Sequence, residues 1–395
     1  MTEGPREPSG RAVEVERLRQ LFRQFAATQC HGRSLVYETL SEGVAGSNDL
    51  LDLLLATPGD QRRPALLFGA VNLLLAAQSR SQLAAYYPIH GGRRPVDDQL
   101  LPTFATFCAE HRDVLAALLQ HRSTQTNEIR RCVALRLGLD HVQRYWPGPV
   151  ALVEVGAAAG LNLLFDRYRY RLGGSETPAA AASPVVISCD VRDGPDGPDG
   201  VAGAARLLGA LPTVTSRLGI DQSPVSLSDP DACAWLEAFI WPEDVAGLAV
   251  LRSAVGLAAS GTGVRVVKGE ATTDTARLLA ELPGREPVAV FTASLLSYLT
   301  TQARAAFVSQ LELLAARRPV AWVFAEGPGL LATTDLAISS LAGPLARRNS
   351  RYAVGASLRQ RPGHHHDQLL ALADPYLRWL APARGPADDF EWVSD

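Results

Sequence analysis

Lysine is almost missing from this 395-residue chain: Lys268 is the only one among 38 basic residues, so the other 37 are arginine. Met1 is the sole methionine, and isoleucine and asparagine number only six and five. Codon bias in a GC-rich genome accounts for such a composition. Selection for bidentate anion binding would account for the arginines alone, and would need them clustered. Net charge is scarce as well. The 41 acidic and 38 basic residues leave −3, which gives no general electrostatic ground for nucleic acid or an anionic membrane as partner. Cysteine is limited to Cys30, Cys108, Cys132, Cys189 and Cys233, widely spaced and without a C-x-x-C pair. Neither a disulfide framework nor a structural zinc site is expected, and a reducing cytoplasm is. The longest apolar run, Pro64 to Ala77, contains Asn72 and falls short of the roughly 20 residues that span a bilayer. Met1 to Pro8 carries acids and prolines where a secretion signal has a basic and then an apolar stretch.

What is present is a globular composition, 47% hydrophobic and 20% charged, long enough for two domains or one large decorated one. From Val13 to Tyr145 the pattern is helical. Val15, Leu18, Leu21, Phe22 and Phe25 recur at three- and four-residue spacing, which sets them on one helix face. Ser47 or Asn48 caps a helix over Leu50–Leu55, and further helices are expected over Ala65–Leu83, Leu101–Leu119 and Glu128–Tyr145. At Pro147-Gly148-Pro149 the character changes. Val150–Val155, Val185–Ser188, Val214–Ile220, Val264–Lys268, Val288–Thr292 and Val320–Phe324 read as strands. They alternate with helices over Leu161–Tyr168, Asp231–Phe239, Thr273–Leu282, Thr301–Ala316 and Thr333–Ala346. That alternation predicts a parallel sheet. Tyr352–Arg359 and Gln368–Leu380 are expected to close it as an antiparallel hairpin, and residues 173–212 form a Gly-, Ala-, Pro- and Asp-rich insertion. The domains are expected at 13–146, helical, and 147–395, α/β.

Val153-Glu154-Val155-Gly156-Ala157-Ala158-Ala159-Gly160-Leu161-Asn162 sits where a first strand passes into a first helix. Ligands of such sheets bind at the carboxyl ends of the strands near the topological switch point. A dinucleotide turn needs G-x-G-x-x-G, but Ala158 and Leu161 stand at its second and third glycine positions, and the Gly-Lys-Ser/Thr of a P-loop is absent. The acid-x-Gly-x-x-x-Gly turn instead resembles motif I of the class I S-adenosylmethionine-dependent methyltransferases. In the same resemblance Asp221 ends strand two, Glu270-Ala271 follows strand three, Ser294 follows strand four and Glu326 ends strand five. Gly160 to Asp221 is 61 residues, against the usual interval of about 20. Either the insertion precedes strand two or Asp190 takes the role of Asp221.

Other segments carry a second resemblance. Leu66-Leu67-Phe68-Gly69-Ala70-Val71, Gln125-Thr126-Asn127-Glu128, the glycine turn, Phe165-Asp166-Arg167-Tyr168, Arg217-Leu218-Gly219-Ile220-Asp221, Trp241-Pro242 and Trp379-Leu380 resemble the domain-of-unknown-function family 2332, common in GC-rich bacteria. That name implies nothing about substrate.

Several residues carry both a structural and a functional reading. Thr124 to Arg131 is a helix start in which Glu128 suits the helix dipole; as a polar cluster, Gln125 and Asn127 would grip a substrate. Glu154 is either a buried acid satisfied by turn amides or an acid beside a ligand, and Asn162 is a first-turn cap or a cofactor contact. Tyr298 is core or lines the reaction site. Trp235 and Trp241 read as core. His364-His365-His366 follows a turn with Gly363, and consecutive histidines on a strand alternate faces, so a solvated turn is expected and no metal site. G-x-S-x-G and H-E-x-x-H signatures are absent.

The resemblance implies an α/β fold, a Rossmann-like class I methyltransferase sheet with an N-terminal α-helical domain. It implies S-adenosylmethionine as cofactor and methyl transfer to a small-molecule nucleophile. Glu154, Gly156, Gly160 and Asn162 would hold the methionine part, Asp221 the ribose, and Glu270 and Ala271 the adenine. Glu128, Tyr298 and Glu326 are the catalytic candidates. Another alkyl transfer, a cyclisation of the cofactor, or a non-catalytic module for a nucleotide-like ligand are the alternatives.

Overall fold

A computed structural model describes residues 10–176, 183–192, 212–261, 263–338 and 351–383. The chain forms two compact units, Met1–Thr126 with Ser228–Ala249, and Asn127–Leu227 with Val250–Asp395. Among the described residues no helix is long and apolar enough to cross a membrane.

The first unit is helical where it is described: Gly10–Phe25, Leu35–Gly46, Asn48–Leu55, Pro64–Ala77, Leu100–Glu110, Arg112–His121 and, from far down the chain, Pro230–Glu237. Ser47 caps the third helix, its Oγ accepting the Leu50 amide at 3.4 Å. The expected helix Leu101–Leu119 is two helices. At His111 the ring stacks 4.2 Å from Phe107 and bonds its carbonyl oxygen at 2.9 Å, and the helix breaks there. The helix expected over Ala65–Leu83 stops at Ala77, and Ala84–Tyr86 forms a separate 3-10 turn whose first amide bonds Ser81. Aromatics fill the core, with Tyr37 stacked 4.4 Å from Phe68 and the Arg33 guanidinium 4.1 Å over Trp241. Asn72 donates to the carbonyls of Ala238 and Ile240 at 2.9 and 3.2 Å. Trp235 and Trp241 are both buried, as a core role requires.

Among the described residues the second unit is built on an eleven-stranded sheet. Its strands are β1 (Val150–Val155), β2 (Arg169–Leu172), β3 (Ser175–Glu176), β4 (Val186–Val191), β5 (Val214–Asp221) and β6 (Val264–Lys268). They continue as β7 (Val288–Ala293), β8 (Val320–Glu326), β9 (Tyr352–Arg361), β10 (His364–Ala373) and β11 (Trp379–Pro382). The spatial order is β3-β2-β4-β11-β10-β9-β8-β7-β1-β5-β6. From β6 to β8 all pairings are parallel, and the chain order reverses between β1 and β7. β9 and β10 form the expected antiparallel pair. The protein is thus mixed α/β.

Three expectations need correction here. The sheet is larger than a parallel set closed by a hairpin, because β2, β3 and a separate β11 extend it, β3 and the expected β4 falling inside residues 173–212; residues 177–182 and 193–211 lie outside the described residues. His364–His366 are not a solvated turn but the start of β10, with His365 bonded to Asp367 at 2.8 Å and only His364 exposed. Thr333 to Ile338 is not helical, and the rest of the helix expected to Ala346 lies outside the described residues.

β1 and β8 are buried at every position, the pattern of strands covered on both faces. Ala151, Val153, Val155, Trp322 and Phe324 share a core with Leu278, Phe307 and Leu311 of the helices Thr275–Ala280 and Thr301–Ala315. Period-2 alternation sends Leu152, Glu154 and Val323 to the opposite face. There the almost wholly buried helix Cys132–Tyr145 lies, its Gly138 against Val323. That helix also brings Arg136 to 5.1 Å from the Tyr170 ring of β2 and Tyr145 to 5.4 Å from His366 of β10.

Candidate functional site

The parallel strands end together in a set of ionisable and strained residues. After β1 the chain turns through Gly156, Ala158 and Gly160, all at positive φ (81°, 48° and 72°), into the 3-10 helix Leu161–Arg167. Gly160 is required by packing: a Cβ there would stand 2.7 Å from Val266 Cγ2. The amides of the turn are bonded within the protein. Gly156 and Ala157 donate to Ile220 O at 2.8 and 3.2 Å, Gly160 to Ala157 O at 2.7 Å, and Leu161 to Asn127 Oδ1 at 3.4 Å. Ala158 donates to Asp221 Oδ2 at 2.8 Å, and Asp221 Oδ1 takes the Ser223 amide at 2.8 Å. Asp221 therefore belongs to the turn. Asp190 lies on β4, paired with β2 and β11 rather than with β1.

Glu154 is buried on β1. One oxygen accepts from Asn162 Nδ2 at 2.7 Å, and the other, Oε2, has no hydrogen-bond partner. Burial pushes its carboxyl up to about 8, against the opposing pull of the Asn162 bond and the Arg131 charge. Cys132 donates its thiol to Asn162 Oδ1 at 3.3 Å, fixing the amide that faces Glu154. Glu326, fully buried at the end of β8, is also pushed up to about 8 by burial, with Arg131 again opposing. Its two oxygens accept the amides of Leu295 and Leu296 at 2.9 and 3.3 Å. These bonds hold the sharp turn after β7, where Ser294 sits at φ 65° and its hydroxyl lies 2.5 Å from the Tyr352 hydroxyl.

The remaining candidates are more dispersed. Glu128 accepts the Arg130 amide at 3.2 Å and pairs with the Arg130 guanidinium. Glu270 is exposed, bonded to Gln222 at 2.7 Å, with Ala271 buried beside it. Tyr298 is exposed on the 3-10 turn Leu296–Tyr298. Gln125 belongs to the helical unit. Sequence reading passed over Arg131, a buried arginine with Nη1 3.3 Å from the Ala293 carbonyl, and Tyr352. In an arginine-rich chain neither identity nor spacing marks them. Among the described residues no three His, Cys, Asp or Glu side chains gather as a metal-binding group.

Fold and site define a mixed α/β protein with buried carboxyls and one buried guanidinium at the carboxyl ends of parallel strands. The chain belongs to the family described as "Uncharacterized protein conserved in bacteria (DUF2332)", whose model matches residues 19–381. No curated protein and no solved structure matches it.

Proposed function

We propose that the second unit is a Rossmann-like, S-adenosylmethionine-dependent methyltransferase acting on a small-molecule nucleophile. The observation that carries this reading is the Asp221 carboxylate clasped to the Ala158 amide, joining the ends of β5 and β1 beside the β1–β7 pair at which the order of the parallel strands reverses. That is where open α/β sheets bind their ligands.

The donor and acceptor balance favours this cofactor over a phosphate ligand. A phosphate needs free backbone N–H groups, and five amides of this turn are already spent. What the strand ends offer is acceptors: Asp221, Glu270 and the unpartnered Glu154 Oε2. Hydroxyls, an amine and an ammonium suit such a set. S-adenosylmethionine bound there would supply an electrophilic methyl group on sulfur. Asp221 would take the ribose hydroxyls with the lone pairs its two amide bonds leave over, Glu270 the adenine side and Glu154, giving up the proton that burial holds on it, the ammonium. Methyl transfer requires in-line positioning above all. Glu128, paired with Arg130, or Glu326, which holds two amides, would take a proton from a nucleophile that needs deprotonation.

Titration calorimetry with S-adenosylhomocysteine tests this. Wild type is expected to bind, and Asp221→Asn, which keeps one oxygen for the turn, to bind about tenfold or more weakly, roughly 1.4 kcal/mol. No heat with wild type at millimolar ligand would sink the reading. Binding of S-adenosylmethionine without turnover of any nucleophile would favour a sensing module.

A further inference from the structure

The strand ends divide into two halves of opposite hydrogen-bonding character. Acceptors lie at the ends of β1, β5 and β6, in Glu154, Asp221 and Glu270. Donors gather where the turn Ile129–Arg131 meets the end of β7 and the start of β9. Arg131 is 8% exposed. Its Nη1 donates to the Ala293 carbonyl at 3.3 Å, and its buried Nε has no partner. The next residue, Ser294, stands at φ 65° with its hydroxyl 2.5 Å from that of Tyr352. Burial raises the Tyr352 phenol, so it keeps its proton. Two hydroxyls carry two protons, and the bond between them uses one. Whichever of them donates, the other keeps an O–H for a further acceptor.

This donor set is held at a cost. Positive φ is strained for a serine, and the turn is fixed by the buried Glu326 through the amides of Leu295 and Leu296. A buried guanidinium short of partners is destabilising as well. Ser294 and Tyr352 are half-buried, and Ser297 and Tyr298 beyond them are exposed, so a ligand has a way in. Guanidinium N–H groups and one hydroxyl match the two oxygens of a carboxylate. A phosphate would bring a further oxygen and a second negative charge beside the Glu154 and Glu326 carboxyls. A neutral hydroxyl would draw on Glu128 or Glu326 as base, and both are engaged. A carboxylate needs no base.

We infer that Arg131 and the Ser294–Tyr352 hydroxyl pair bind the carboxylate of a carboxylic acid, and that this carboxylate is the methyl acceptor. The binding stands without the cofactor, while the methyl transfer rests on the reading above. In that step one carboxylate oxygen forms a bond to the methyl carbon as the carbon–sulfur bond breaks. The electron pair of the broken bond stays on sulfur. The products are a methyl ester and a neutral thioether, and no proton moves.

Thermal unfolding in sodium acetate tests the site. Against sodium chloride at equal ionic strength, about 100 mM acetate should raise the wild-type melting temperature by roughly 2–5 °C. Arg131→Met should lose most of that rise, and so should the double variant Ser294→Ala with Tyr352→Phe. Arg131→Lys, which serves if the Met variant does not fold, should keep less than half. The variants meet the same salt, so what acetate does to any protein cancels. No rise in wild type, or equal rises in wild type and all variants, overturns the inference and leaves the cofactor reading standing. An Arg131-dependent rise that is larger with sodium phosphate overturns the choice of carboxylate. An Arg131-dependent acetate rise without S-adenosylhomocysteine binding supports the site and removes the methyl transfer. With S-adenosylmethionine labelled in its methyl group and a bacterial small-molecule extract, the transferred label should be released by alkali as methanol. Alkali-stable label, or none, overturns the acceptor role.

Discussion

Replacing Gly138 with alanine is expected to lower the melting temperature by roughly 3–10 °C. In a helix interior glycine-to-alanine is stabilising by about 1 kcal/mol, and here that gain is outweighed. The new Cβ overlaps Val323 Cγ1 and stands 2.9 Å from Cγ2 and 3.1 Å from the Val323 Cβ. Valine is stiff at χ1, and Val323 lies in β8 between β7 and β9, so relief requires moving the helix or the strand. Overpacking of this kind is destabilising by about 1–3 kcal/mol, occasionally more, and one kcal/mol moves the melting point by about 2–4 °C in a unit of this size. Thermal unfolding followed by circular dichroism reads the loss. The double variant Gly138→Ala with Val323→Ala should recover much of it. A single variant that melts with wild type would mean that the helix does not meet β8 so closely.

The second large effect is a pH dependence of stability. The carboxyls of Glu154 and Glu326 are raised from 4.5 to about 8 in the folded protein by burial. Between those values the native state keeps protons that the unfolded chain has released. Their contribution is therefore complete below about pH 4.5, falls as pH rises, and is exhausted above about pH 8. The slope is on the order of 1 kcal/mol per pH unit for each group. Glu154→Gln keeps an oxygen for Asn162 and has no proton to lose, so it should halve the slope. It should melt above wild type at pH 8 and close to it at pH 5. Parallel curves of melting temperature against pH for the two proteins would show that Glu154 is already ionised.

Much of the parallel sheet is legible in sequence because its central strands are continuous apolar runs. Val150 to Val155 and Val320 to Phe324 can be read without tertiary information, and so can the glycine turn and the placing of Asp221 after a β-branched run. β2 and β3 are not legible: Arg-Tyr-Arg-Leu and Ser-Glu carry no strand signal, and they are strands because β2 pairs with β4 and β3 with β2. The break at His111 escapes a periodicity argument because the hydrophobic spacing continues through it, while the backbone of His111 leaves helical geometry at φ −110° and ψ 20°. His364 to His366 mislead in the other direction. A polar run beside a glycine reads as a turn, yet pairing with Leu358 to Arg361 makes it a strand.

The candidate site divides the same way. Glu154, Gly156, Gly160 and Asn162 are near neighbours in the chain, and their proximity follows from local backbone geometry. Asp221 and Asp190 are equivalent in sequence; strand order alone separates them, because β5 pairs with β1 and β4 does not. Arg131 is one of 37 arginines, and nothing in its neighbours distinguishes it from a solvated one. Its burial, and the bonding capacity it shares with Glu154, arise where the start of the helix Cys132–Tyr145 meets the ends of β1, β7 and β8. The scarcity of lysine and asparagine is a property of composition and needs no fold. Which arginine is taken out of water depends on long-range packing, since desolvation is set by neighbours distant in the chain.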